Sequence, residues 1–79
     1  MKEILLSLGY ELDIVNSQLS VESFVKEAEH FTIIINQHKK TKKSTMLFVD
    51  NDNEGEPILI STNINNENIE KFEEFLKVL

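Results

Sequence analysis

Hydrophobic positions in this chain come in short clusters whose period changes from segment to segment, and those changes divide it into elements. The clearest stretch is Ser44 to Thr62, where apolar runs at 46–49 and 58–61 flank Asp50, Asn51, Asp52, Asn53, Glu54, Gly55 and Glu56. Strand-length runs around a loop of turn residues predict a β-hairpin with an acidic tip. Residues 31–36 contain three consecutive Ile; Phe31, Ile33 and Ile35 fall on one side and Thr32, Ile34 and Asn36 on the other, predicting a third strand.

Helical spacing marks two further segments. From Ser20 to His30, Val21, Phe24, Val25 and Ala28 share one helical face, with Ser20 placed to cap and Glu22 placed to complement the dipole. From Glu67 to Leu79, Ile69, Phe72, Phe75, Leu76 and Leu79 share a face while Glu67, Glu70, Glu73 and Glu74 point elsewhere; Asn65 or Asn66 precedes as the N-cap. The opening stretch supports two readings. Met1, Leu5, Leu8, Leu12, Val15 and Leu19 make the stripe of one long helix, whereas Gly9 and the alternation from Tyr10 to Ile14 suit a short helix followed by an extended segment. The second is favoured.

The expected fold is α+β in a single domain, residues 1–79: a three-stranded antiparallel meander packed against two amphipathic helices, with an N-terminal helical or extended addition. Each strand carries apolar residues on both faces. Two helices cover one face, so the second calls for a cover from the N-terminal segment, a dimer mate or a partner, with the N-terminal segment preferred.

Charge sharpens this picture. Fourteen acids oppose eight basic residues for a net charge of −6, and every basic residue is Lys. Lys39, Lys40, Lys42 and Lys43 lie together, which leaves the remainder strongly acidic. Without Arg, the bidentate reader of phosphate and guanine is missing, so direct nucleic-acid binding is not expected. No run is long enough to predict a membrane span, and with no Cys the expected compartment is the cytoplasm.

Candidate chemistry is sparse. The chain has no phosphate-cradling glycine loop and no nucleophile with a neighbouring base, so no catalytic residue, cofactor or enzymatic activity is expected. His30 and His38 lack a second ligand at metal spacing. Asp50, Asp52, Glu54 and Gly55 match positions 1, 3, 5 and 6 of a calcium loop, but position 12 is Ser61 and strands flank it. Two other readings of the tip stand beside calcium: a solvated turn, and an acidic prong for a basic groove on another protein.

From Thr45 onward the chain resembles the small type II-A anti-CRISPR proteins of Listeria prophages. The shared features are Thr45 and Leu47 before a strand, a turn with Glu54 and Gly55, Ile60 and Ser61 closing the hairpin, and Ile69, Glu70, Lys71 and Phe72 opening a helix. Pro57 stands where that family has an acidic residue. The resemblance implies an inhibitor that mimics DNA and occupies the PAM-reading site of an RNA-guided nuclease, with Glu54 as a contact. The residues themselves add Asp50, Asp52 and Glu56, and the helix face adds Glu67, Glu70 and Glu74. The expected function is therefore a small acidic inhibitor whose partner is a basic, nucleic-acid-handling protein. An immunity protein or antitoxin against a nuclease toxin, a calcium-binding module using residues 50–56, and a homodimer through the second sheet face remain as alternatives.

Overall fold

The computed structural model describes residues 1–15, 17–53 and 55–77. It is α+β: helix α1 (Lys2–Ser7), five strands β1 (Glu11–Leu12), β2 (Val21–Glu27), β3 (Phe31–His38), β4 (Ser44–Asp50) and β5 (Ile58–Ser61), then helix α2 (Ile69–Lys77). The strands form one antiparallel sheet in sequential order. No helix among the described residues is long and apolar enough to cross a membrane.

Gly9 settles the opening segment in favour of the short helix. Its φ of +96° is a conformation that side chains with a Cβ resist. The Gly9 N–H donates to the Leu6 carbonyl and the Tyr10 N–H to the Leu5 carbonyl, a Schellman closure of α1. Leu5 and Tyr10 both enter the core, so the same turn that ends the helix seals two apolar side chains against each other's element.

The predicted helix over Ser20 to His30 is instead strand β2, which raises the sheet from three strands to five once β1 pairs with it. Val21, Phe24 and Val25 suit either structure by composition, so tertiary context decides. The Ile-rich β3 offers a seven-residue ladder from Val21–His38 to Glu27–Thr32, and the Ala28 N–H bonds back to the Phe31 carbonyl to close a tight turn. An isolated helix of that length would be marginal in water. Ser20 therefore caps nothing; its carbonyl accepts from the Lys39 N–H. His30 lies in the β2–β3 turn, not at a helix end.

The hairpin is present, with β4 longer at both ends than its apolar run and β5 bounded as expected. In α2, Asn65 is the cap: its Oδ1 accepts from the Glu67 and Asn68 N–H groups at 2.9 and 3.0 Å. The buried face of α2 is rotated from the expected one. Ile69, Glu73 and Leu76 are buried while Phe75 is 56% exposed. At 100° per residue, Glu73 lies closer to the Ile69–Leu76 line than Phe75 does. Leu79 lies outside the described residues.

One core forms on one face of the sheet. Phe24, Ile33, Ile35 and Met46 meet Leu5 of α1, Ile64, and Ile69 and Leu76 of α2, with each fully buried side chain contributing about 1.5–3 kcal/mol of burial. The expectation that the N-terminal segment covers the second face is met at most at its margin: α1 packs on the same side as α2, while Asp13 and Ser17 reach the other face beside Ser23. The other face carries the rung Val25, Ile34, Leu47 and Leu59, aligned by the strand register. A shallow groove of about 320 Å³ runs there between Asp13, Ser23, Val25, Ile34, Asn36 and Leu47.

Candidate functional site: an anchored acidic tip

An antiparallel meander puts alternate turns at the same end of the sheet. The β2–β3 turn, with Glu29 and His30, and the β4–β5 loop, with Asp50, Asp52 and Glu56, therefore meet at one end. The β3–β4 turn, with Lys39, Lys40, Lys42 and Lys43, lies at the other. Charge is segregated along the strand direction: an acidic end faces away from a basic end.

The acidic end is built, and Asn51 does most of the building. Its N–H donates to the His30 carbonyl at 2.9 Å, its Nδ2 to the Ala28 carbonyl at 3.1 Å, and its Oδ1 accepts from the Thr32 hydroxyl at 2.9 Å. One side chain thus stitches the loop to the neighbouring turn. The Asp52 carboxylate adds a second tie, 2.8 Å from His30 Nδ1, which becomes an ion pair when the imidazole is protonated. Asp50 organises the loop from within: Oδ1 accepts from the Asp52 N–H and Oδ2 from the Asn53 amide, each at 3.0 Å. Bonds from Asn53 first, and then from the Asp52 backbone, hold the Asp50 carboxyl below its usual 3.8, because both favour the charged form.

The predicted site residues therefore separate into distinct roles. Asp50 is spent on turn geometry and Asp52 on His30, while Glu56 is exposed. Glu54 lies outside the described residues. Glu67, Glu70 and Glu74 are all exposed, with Glu67 in the turn before α2 and Glu70 and Glu74 one turn apart on the helix. From Glu67 to Glu74 the acids spread over about 10 Å at 1.5 Å per residue. Leu76 and Lys77, at the end of α2, share a concavity with His30, Phe31, Phe48, Asp50 and Asp52, so the helix runs toward the acidic end. Among the described residues, no three His, Cys, Asp or Glu side chains gather as a metal site would require.

Sequence reasoning missed three residues here. Glu73, read as a solvent-facing acid, is buried against β2, where its Oε2 meets Lys26 Nζ at 2.7 Å. Lys26 also lies 5.4 Å from the centroid of the Tyr10 ring. Burial first, and then the Glu73 charge, push the Tyr10 hydroxyl well above its ordinary value, so it stays neutral at any physiological pH. His30 and Asn51 were the other two. Nothing local marks either, because their partners come from a turn some twenty residues away.

No protein-family model matches the chain, and no curated protein or solved structure does either.

Proposed function

We propose that this chain is a small acidic inhibitor that mimics nucleic acid and blocks a basic groove on a nucleic-acid-handling protein, with the RNA-guided nuclease of phage defence as the first candidate target. The observation that supports the reading is the triple anchoring of Asn51. A solvated turn needs no such ties, whereas a loop that must present negative charge at fixed positions gains from being held before its partner arrives. Pre-organisation lowers the ordering cost of binding, and complementary potentials speed encounter and select the partner.

In this reading Glu56, with Glu54, supplies the charge that meets the groove. Asp50 and Asp52 position the loop and add to its field. Glu70 and Glu74 on α2 extend the acidic surface as a second, separate line of contact. The lysines at the opposite end are kept away from the basic partner by the length of the strands.

The test is target-DNA cleavage by the RNA-guided nuclease with increasing amounts of the chain. Wild type should inhibit, more strongly at low salt than at high salt, since ions screen exposed charges. A variant with Asp50 and Asp52 changed to Asn and Glu54 and Glu56 changed to Gln should not. Equal inhibition by both, or none by either, would remove the proposal for this target.

A further inference from the structure

The sheet has two edges, and they are unlike. The β1 edge is two residues long and acidic, bordered by Glu11, Glu27 and the left-handed Gly9. At the other edge, among the described residues, β5 pairs with β4 and with no other strand, so the outer backbone groups of Ile58–Ser61 face no described strand. That edge has no charged residue from Pro57 to Asn66, and its large side chains Ile58 and Leu59 are 57% and 55% exposed. Proteins ordinarily protect such an edge with charge, an inward Lys or a cover. Here only Pro57 and the shortness of the strand limit it.

We infer that β5 is a self-association edge, where a second copy of this chain adds its own β5 antiparallel to form a continuous ten-stranded sheet. Charge chooses the second copy and its direction. Antiparallel pairing about a two-fold axis reverses the partner's poles. The acidic loop before Ile58 then lies beside the Ser61 end of the partner's strand, next to the start of the partner's β4 and the lysines that precede it. Two strand spacings, about 10 Å, separate the opposite charges, close to one Debye length at ~0.1 M salt. Parallel addition would instead set the two acidic loops side by side. The same two-fold carries the acidic β1 edges to the far ends of the double sheet, where repulsion between two chains of net charge −6 is weakest.

Symmetry and side-chain alternation fix the register. Partners across antiparallel strands share a face, so a two-fold pairing must be centred on a residue. Centring on Leu59 sets it against its own counterpart on the open face and sets Ile58 against the partner's Ile60 on the core side. Both exposed aliphatic groups are then paired with aliphatic groups. The rung Val25, Ile34, Leu47 and Leu59 becomes continuous across the axis. This association is separable from the tip's role in binding: Leu59→Lys breaks the paired edge and leaves residues 50–56 intact, whereas neutralising those residues removes only the charge attraction across the axis.

The chain has no Cys, so a single introduced thiol reports the geometry cleanly. Leu59→Cys on the full-length chain should cross-link to a disulfide dimer with oxidised glutathione, since facing Cα atoms in an antiparallel pair lie about 4.5–5.5 Å apart, within disulfide reach. Ile34→Cys, in the middle of the open face, should stay monomeric under the same treatment. Wild type should approach twice the monomer mass in sedimentation equilibrium as concentration rises from micromolar to millimolar. Leu59→Lys, exposed enough to fold normally by circular dichroism, should weaken that association by about tenfold or more through facing like charges. A wild-type chain that remains monomeric at millimolar concentration, or an Ile34→Cys chain that cross-links as readily as Leu59→Cys, overturns the inference. The second result would place the contact on the sheet face.

Discussion

Replacing Lys26 by Met should destabilise this protein more than replacing its partner Glu73 by Leu, although the two share one bond. The side chain of Glu73 is only 7% exposed and that of Lys26 is 32% exposed. Exposed ion pairs are worth about 0–1 kcal/mol, while removing one partner of a fully buried pair costs about 3–5 kcal/mol because a charge is stranded. Lys26→Met keeps the aliphatic stem beside Tyr10 but leaves the Glu73 carboxylate buried without its cation. Discounted for the water that already reaches Lys26, the cost should be about 2–3 kcal/mol. Glu73→Leu leaves an ammonium that can swing into solvent, so its cost should be about 0–1 kcal/mol. The double variant replaces both charges by apolar groups of similar volume and should lie within about 1 kcal/mol of wild type. Urea unfolding of the four proteins, read by circular dichroism, measures all three differences. For a domain of this size the Lys26→Met loss corresponds to a fall in melting temperature of roughly 10–20 °C. Equal costs for the two single changes, or a double variant as unstable as Lys26→Met, would refute the argument that the buried carboxylate, rather than the bond, sets the energy.

Three further outcomes follow from local geometry. Gly9→Ala should cost about 1–2 kcal/mol, because the φ of +96° is refused by a Cβ although the nearest side-chain atom, Lys26 Cε, leaves room for one at 3.7 Å; thermal unfolding against wild type checks it. Asn51→Ala should cost about 1 kcal/mol in global stability and speed amide exchange at the tip more than elsewhere, while leaving net charge unchanged. The Asp50 carboxyl should titrate below 3.8 in a carbon-detected NMR experiment. Its folded-state value is depressed, so its contribution to stability is present above the unfolded value and lost as pH falls through the folded one, and Asp50→Asn should flatten stability in that acid range.

How much of this was legible in the sequence depended on the range of the interaction that decides each element. The hairpin from Ser44 to Thr62 could be read because turn residues and strand formers sit together, and Asn65 because a cap bonds to its immediate neighbours. Gly9 also carried its message locally. The segment from Val21 to Glu27 did not, since its apolar positions fit a helix and a strand equally and the deciding ladder comes from β3. Glu73 was hidden for a similar reason: its partner is 47 residues away. At the tip, the acids were visible as a cluster, but which of them organise the loop and which face solvent depends on Asn51 and His30, and neither bond can be foreseen from spacing. The placement of α1 beside α2 on one face also lay beyond local pattern, because Leu5 finds its neighbours through the sheet.

The sequential strand order has a consequence for how the chain is made. Every strand pairs with the one synthesised just before it, so the sheet can lengthen as the polypeptide leaves the ribosome, each new hairpin closing on an existing edge through contacts of short sequence separation, the kind that fold fast. The core cannot close in the same way. Its last wall is α2, and until Ile69 and Leu76 arrive, Ile33, Ile35 and Met46 lie beneath α1, Tyr10 and Ile64 without the longer helix. A nascent chain that has completed β5 but not α2 therefore displays a finished sheet with a sticky underside, and it is during that interval that a chaperone would find the most to hold.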